Sequence, residues 1–240
     1  QPWRTTTVVG GAPSAGMSES QVATGLVVAL CLFLVLAIAA PLATLLSKAA
    51  QNAQGEFVGL ANFVRYFQTP ALVGALFNSL FIAALCTAIV IPLAFVYAYA
   101  LTRSQMPAKP LFMGAALLPI FAPSLLPAIA LIYVFGNQGF LKAALLGGSI
   151  YGPIGITLAM VFYTFPAAVM IIATALALAD GRLYEAADAM GASRRRIFFT
   201  VTLPGVRYDL VSAAFVVFTL VITDFGIPKV IGGQFAVLAT

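Results

Sequence analysis

The sequence predicts an all-α membrane protein with about five transmembrane helices. Hydrophobic residues make up 62% of its 240 residues and charged residues only 8%, whereas a soluble domain carries about a quarter charged residues. Several apolar runs are long enough to cross about 30 Å of hydrocarbon as helices. Most charged residues lie between these runs, which is the pattern of a multi-pass membrane protein.

The apolar runs divide the chain into a short arm and a transmembrane domain. Residues 1–21 are rich in Thr, Gly, Ser and Ala and cannot bury enough apolar surface to order themselves, so they predict a flexible N-terminal arm. The domain covers residues 22–240. Its predicted spans are residues 22–46, 72–101, 111–135, 153–179 and 208–226.

Two of these spans have unusual features. The third contains Pro119, Pro123 and Pro127, which predict a bent or locally broken helix, although membrane helices also simply tolerate prolines. The fifth is short, and we expect it to take in residues that follow it. In the fourth, Gly155 and Ala159 lie four residues apart, a spacing that permits close helix contact.

Composition excludes several kinds of site. The chain has no His, which excludes imidazole metal ligands and histidine-based catalysis. It has no G-x-x-x-x-G-K-[ST] phosphate loop, so we predict no catalytic residue, no metal and no cofactor. Its two cysteines, Cys31 and Cys86, fall inside predicted spans and are expected to act as small hydrophobic residues.

The basic residues predict orientation rather than nucleic-acid binding. The net charge is +5, but the Lys and Arg residues flank apolar runs, so we predict the lipid bilayer and not nucleic acid as the partner. A cytoplasmic N-terminus places eight of the twelve basic residues in the cytoplasm, which satisfies the positive-inside rule. These eight are Arg4, Arg103, Lys109, Arg182, Arg194, Arg195, Arg196 and Arg207.

The longest polar stretch, residues 180–207, lies between the last two spans and predicts a helical hairpin. Helix formers run from Leu183 to Met190, Gly191 supplies a joint, Ser193 can cap a second helix and Pro204 ends it. An amphipathic hairpin suits docking into a groove on a partner protein. The alternative is an Ala-rich surface helix that merely links two spans.

The spacing in this hairpin resembles that of a known family. Glu185-Ala186-Ala187, then Gly191-Ala192, then Phe198, Val201 and Leu203-Pro204 are similar to the EAA loop of type I ABC importer permeases. In that family the loop is the cytoplasmic coupling helix, which seats in a cleft of the ATP-hydrolysing subunit.

The resemblance suggests a role for each matching residue. Glu185 is expected to anchor the hairpin in a basic groove of the ATPase, and Ala186 and Ala187 to allow close approach. Gly191 is expected to supply the bend, with Ala192 beside it. Ile197 and Phe198 are expected to make apolar contacts with the ATPase. The alternative for Glu185 is a solvated carboxylate, and Arg194 to Arg196 are interpreted as a topology anchor near anionic lipid.

This resemblance implies that the chain is a permease subunit of an ATP-driven, binding-protein-dependent importer in the bacterial cytoplasmic (inner) membrane. The implied partners are ABC ATPase subunits, an extracytoplasmic solute-binding protein and a second permease half or subunit. The fold would be one six-helix permease half with its sixth span absent, and we expect the chain to be part of a longer polypeptide. The alternatives are an ion-coupled secondary transporter and a non-transporting membrane anchor. A secondary transporter should carry ionisable residues deep within its spans, whereas these spans carry almost none.

The solute is expected to be small and polar. Residues 223–233 resemble the corresponding segment of 2-aminoethylphosphonate permeases, relatives of ferric-iron and polyamine permeases, which are the alternatives. Asp224 and Asn78 are candidates for the substrate path. A structural role for Asp224, as a helix cap or a partner of Lys229, is the alternative. Residues 59–63 and the following aromatics also resemble this family, in which they form a helix on the outer membrane surface.

Overall fold

The computed structural model describes residues 19–240 of the protein. Within this range the chain forms helices and no multi-residue β-strand, so the all-α prediction is confirmed. The α-helices are α1 (Glu19–Ala49), α2 (Ala61–Gln68), α3 (Pro70–Arg103), α4 (Lys109–Leu117), α5 (Leu125–Phe135), α6 (Pro153–Leu178), α7 (Gly181–Ala189), α8 (Arg194–Ile197), α9 (Leu203–Gly205), α10 (Arg207–Thr223) and α11 (Gly226–Ile231). Short 3₁₀ segments are Leu118–Phe121 and Lys142–Leu145, and Phe198–Thr202 is a π-helix.

The chain divides into two compact units, one ending at Tyr66 and the other running from Phe67 to Thr240. The first unit is dominated by α1, whose apolar side chains are exposed on all sides. A helix that is apolar all round is suited to lipid. The Asn62 side chain donates hydrogen bonds to the Ala49 and Gln51 carbonyls at 2.9 and 2.8 Å, which ties the start of α2 to the end of α1. The predicted arm, residues 1–21, lies almost entirely outside the described residues.

The core of the second unit is formed by α3, α6 and α10. On α3 the buried positions are Ala83, Cys86, Val90, Ala94 and Ala98, which recur every three or four residues and so form one stripe. Small side chains in this stripe allow the helices to approach closely. Other positions on the same helix, such as Phe77 and Val96, carry large side chains that are exposed.

Contacts at the helix ends determine the direction of each helix. The ends of α3 and α6 meet, because Arg103 hydrogen bonds to the Leu176 carbonyl. Their beginnings meet the same C-terminal segment, since Ser79 bonds to Leu238 and Gly152 to Ile231. The two helices are therefore parallel, and α10, which starts at the hairpin, runs antiparallel to both.

The segment between α3 and α6 must therefore run from one end of the unit to the other. It does so as α4 with its 3₁₀ extension, Lys109–Phe121, and α5, which meet at a 99° bend. The residues at the break, 122–124, include Pro123, which cannot donate a backbone hydrogen bond. The prediction of a bent or broken third span is confirmed, and the helix directions make it one broken crossing rather than a re-entrant loop.

By length and composition three of the described helices can each cross a membrane, and five crossings result if each of two bent pairs counts as one. The second bent pair is Arg194–Gly205 with α10, at 60°. We expected the fifth span to take in residues after it, and this is wrong. It ends at Thr223 because Asp224 is extended and caps the next helix; α10 alone is about 25 Å long.

Gly155 provides the close helix contact that its spacing predicts. It is buried on α6, and a Cβ atom there would lie 2.0 Å from the Ile150 carbonyl oxygen and 2.7 Å from Cδ1 of Ile231 on α11. The Ile231 side chain could move, but the backbone carbonyl could not, so only Gly fits at this point of contact. The Gly152 amide also donates to the Ile231 carbonyl at 2.9 Å, so α11 is held firmly against the start of α6.

Candidate functional site

The polar stretch 180–207 folds as the predicted helical hairpin. Its first helix, α7, begins directly after Asp180, whose side chain accepts a hydrogen bond from the Arg182 amide at 2.9 Å. Asp is a preferred N-cap residue because its carboxylate satisfies a free amide and carries the sign that the helix N-terminus favours. The predicted helix 183–190 thus begins two residues earlier and ends at Ala189.

Gly191 ends this helix in a left-handed conformation, with φ of +70°. The Ala192 amide donates to the Ala187 carbonyl at 3.0 Å and the Gly191 amide to the Asp188 carbonyl at 2.9 Å. This pair of bonds is the Schellman motif, which satisfies two carbonyls left free at a helix C-terminus. A Cβ at Gly191 would meet open space, so the requirement for Gly comes from the backbone conformation rather than from crowding.

The second arm of the hairpin contains an irregular helix. Ser193 caps it by accepting a hydrogen bond from the Arg196 amide at 3.4 Å, as predicted. α8 then widens into the π-helix Phe198–Thr202 before α9, which ends at Gly205, one residue after Pro204. A π-helix inside an α-helix is rare and occurs frequently at functional sites.

The apolar residues of the second arm pack inside the chain. Ile197 is only 9% exposed, and the Phe198 ring lies edge-on to Phe95 and Tyr99 of α3 at centroid distances of 5.9 and 5.7 Å. We expected Ile197 and Phe198 to grip a partner protein. Ile197 is buried and Phe198 packs on α3, so little of either side chain is left for that purpose. Their contact with a partner stays a prediction.

The surface that the hairpin offers outward is formed mainly by α7. Leu183, Ala186 and Met190 are exposed and lie three and four residues apart, on one face of the helix. Met190 is 79% exposed. Glu185 is exposed beside this face, whereas Ala187 is buried against the chain. The result is an apolar helical face edged by a carboxylate, with no covering element among the described residues.

A network behind α7 ties the hairpin to the core. The Arg103 guanidinium lies 4.1 Å from the centroid of the Tyr184 ring and donates to the Leu176 carbonyl at 2.9 Å. The Tyr184 hydroxyl donates to Thr202 Oγ1 at 3.2 Å. A polar cleft of about 610 Å³ opens beside these residues and is also lined by Asp188 and Arg194.

The two residues predicted for a substrate path have structural partners at the opposite end of the unit. Asp224 Oδ2 accepts a hydrogen bond from the Ile227 amide at 2.8 Å, which is the capping alternative. Asn78 donates to the Ala236 carbonyl at 2.9 Å. The cavity beside Asp224 measures about 10 Å³, which leaves room for roughly one water molecule. Contact of either residue with a solute stays a prediction.

Comparison with known proteins identifies the family. The model for the binding-protein-dependent transport system inner membrane component family matches residues 90–240, which contain the hairpin and most of the core. The chain belongs to this family. The predicted membership of the type I ABC importer permeases, which are inner-membrane proteins, is thereby confirmed.

Individual relatives carry different names. The chain is 31% identical, over 65% of its length, to a probable sulfate transport system permease protein of Prototheca wickerhamii, of which the match covers 58%. It is 30% identical over 63% to the molybdenum transport system permease protein ModB of Escherichia coli, covering 68% of that protein. It is 28% identical over 81% to a putative 2-aminoethylphosphonate transport system permease protein of Salmonella typhi, covering 70%.

Sequence reasoning about this family member missed the Arg103 network. Arg103 was counted as a topology residue in a short loop, and Tyr184 and Thr202 were given no role. One signal was available: Tyr184 directly precedes the Glu185-Ala186-Ala187 motif, where an amphipathic residue on a helix can pack inward. Nothing in the sequence pairs it with Arg103, which lies 81 positions earlier.

Proposed function

We propose that the chain is the permease subunit of an ATP-driven, binding-protein-dependent importer, and that hairpin 180–207 is its docking element for an ABC ATPase subunit. The observation that carries this proposal is the exposed face of α7. It is apolar, edged by Glu185 and held at a fixed angle by the Schellman turn at Gly191. An amphipathic helix that leaves its apolar face uncovered is suited to a groove on a partner.

Charge supports a cytoplasmic location for this face. The hairpin end of the second unit carries seven basic residues and the opposite end two, Lys142 and Lys229. The seven are Arg103, Lys109, Arg182, Arg194, Arg195, Arg196 and Arg207. Under the positive-inside rule the hairpin end lies in the cytoplasm, where an ATPase subunit is available.

The mechanism follows from how the hairpin is attached. Closure of two ATPase subunits on ATP moves the docked hairpins, and the helices fixed to them rock between inward and outward openings. A second permease half or subunit supplies the other hairpin, and an extracytoplasmic binding protein delivers the solute. The packing of Phe198 on α3 and the bond from Arg103 to α6 transmit movement to the core.

For the solute, we propose a small polar compound with 2-aminoethylphosphonate as the first candidate. The relative with that name overlaps the largest part of this chain among the three described above. Sulfate and a phosphonate group are both tetrahedral oxyanions, and two of the three relatives are named for such solutes. Ferric iron and polyamines are the alternatives. A thermal-shift screen of the partner binding protein against these compounds distinguishes them.

The docking proposal is tested by charge reversal on the exposed face. The permease, purified with its ATPase subunit, is compared with Glu185→Lys and Glu185→Gln variants. We expect the lysine variant to lose the ATPase subunit, or to hydrolyse ATP without transport, because it repels a basic groove, and the glutamine variant to show a smaller defect. Retention of coupled transport by Glu185→Lys would remove Glu185 from the interface.

A second pair of variants tests the turn. Gly191→Val forces a β-branched side chain onto a left-handed backbone, whereas Gly181→Val places the same residue in the first turn of α7, where a Cβ atom has open space around it. We expect only the first to weaken association with the ATPase subunit. Equal behaviour of the two variants would show that the angle of the hairpin is unimportant for docking.

A further inference from the structure

Arg103 is the last residue of α3 and contacts two other elements at once. One guanidinium nitrogen donates to the Leu176 carbonyl in the final turn of α6, and the planar group stacks on the Tyr184 ring of α7. The final four carbonyls of a helix have no partner within it, so this bond satisfies a group that needs one. The Nε atom of Arg103 is buried and has no hydrogen-bond partner in the described part of the chain.

Tyr184 extends this contact to the second arm of the hairpin. Its hydroxyl donates to Thr202, which is 1% exposed and closes the π-helix. One cation thus touches the ends of both core helices and the rear of α7, and through Tyr184 it reaches the second arm. We call Arg103, Leu176, Tyr184 and Thr202 the latch.

The latch requires the chemistry of Arg. A guanidinium is planar, so it can stack on an aromatic face while its edge donates a hydrogen bond to a carbonyl. A Lys ammonium is a point charge that cannot perform both tasks with the same geometry.

We propose that Arg103 is a positioning residue that makes the hairpin, α3 and α6 move as one body when the ATPase pulls on α7. This inference rests on the proposed function. The ring contacts of Phe198 hold the second arm against α3. On the first arm, which carries the docking face, Ala187 is buried, and Arg103 supplies the contact that joins this arm to the ends of both core helices.

Removing the latch therefore should not detach the hairpin, because the aromatic contacts of Phe198 remain. It should let α7 move without α3 and α6. The unsatisfied Nε atom is consistent with a contact retained for position, since burying a donor without a partner is costly. The expected defect of a latch variant is loss of coupling with the ATPase subunit still bound.

The test measures the distance between spin labels on the hairpin and on the loop after α3. Asp188→Cys, on the first arm but outside the docking face, and Pro107→Cys are introduced at exposed positions, with Cys31→Ser and Cys86→Ala removing the native thiols. The permease complex with its ATPase subunit is measured without nucleotide and after trapping with Mg-ATP and vanadate. We expect one distance, unchanged between the two states, in the unmodified latch.

Latch variants are compared with a matched control. Arg103→Lys and Tyr184→Leu each remove one partner of the contact between guanidinium and ring. For both variants we expect a second population of label-to-label distances to appear after trapping. Arg195→Ala is the control: it removes a nearby exposed arginine and leaves all four latch residues in place, so it should keep the single distance. If these residues had only a structural role, their variants would change the distance equally in the nucleotide-free state and in the vanadate-trapped state.

The outcomes separate this inference from the proposed function. A single distance in Arg103→Lys and Tyr184→Leu after trapping would overturn the inference and leave the permease function intact. Two populations in the unmodified protein would also overturn it, because the latch would not be rigid. Failure of any ATPase subunit to bind the unmodified permease would overturn the proposed function, while the nucleotide-free distances would still report whether the latch holds the hairpin.

Discussion

Gly226 lies so close to Ser124 that a Cβ atom on it would be 2.9 Å from Ser124 Oγ. Ser124 ends the break in the third crossing, and Gly226 begins the helix that follows the fifth. Two of the irregular points of the second unit therefore meet at one contact. Because each break leaves its helix without a continuous backbone ladder, their mutual packing stabilises both.

Enlarging Gly226 should destabilise this contact. We expect Gly226→Val to cost about 1–3 kcal/mol, the usual range for overpacking, since its side chain would meet Ser124 and Leu125. The measurement is thermal unfolding in detergent. Gly74→Val is the control, because a Cβ there has nothing within 4 Å; equal unfolding temperatures for the two variants would contradict the contact.

Phe198 should be more important for stability than its neighbour Phe199. Phe198 packs on Phe95 and Tyr99, whereas Phe199 is 55% exposed. We expect Phe198→Ala to destabilise the protein by about 2–4 kcal/mol, and Phe199→Ala by well under half of that. Protease sensitivity of the hairpin checks this prediction, and greater sensitivity in the Phe199 variant would refute the assignment.

Asp224 should act as a helix cap rather than as a charge. Asn also caps helices, so Asp224→Asn should keep both stability and solute uptake, whereas Asp224→Ala should lose about 1 kcal/mol of stability. Uptake and thermal unfolding are measured on the same preparations. Loss of uptake by a fully stable Asp224→Asn variant would instead support contact with the solute.

Gly191 should tolerate one substitution better than others. Asn adopts the left-handed conformation readily, and a β-branched residue does not. We expect Gly191→Asn to retain the ATPase subunit and Gly191→Val to lose about 1–2 kcal/mol of stability together with docking. Circular dichroism and co-purification of the ATPase subunit separate these effects, and indistinguishable Asn and Val variants would argue against the turn geometry.

The sequence predicted the hairpin well because its signals are local. Asp180, Gly191 and Ser193 each act on backbone groups within five residues, and their roles follow from side-chain chemistry alone. The break in the third crossing was likewise predicted from its prolines. The roles of Ile197 and Phe198 were not, because an exposed and a buried apolar face look alike in one sequence.

Sequence patterns could not predict contacts between residues that lie far apart in the chain. Arg103 and Tyr184 meet only because α3 and α6 run parallel, and this direction depends on the crossing between them. The end of the fifth span was misjudged for a similar reason, since the capping bond of Asp224 competes with helix continuation. Polar residues near membrane helix ends suggest function, and here their partners are backbone groups of the same chain.

The central claim, that the outward face of α7 docks on an ATPase subunit, is tested most directly by photocrosslinking. A benzophenone amino acid is placed at Met190, and at Phe140 as a control that is equally exposed, at 79% and 77%, but lies at the opposite end of the unit. We predict that illumination of intact cells joins Met190, and not Phe140, to the ATPase subunit. Crosslinks from Met190 to an extracytoplasmic protein, or to the ATPase subunit from Phe140 alone, would contradict the account.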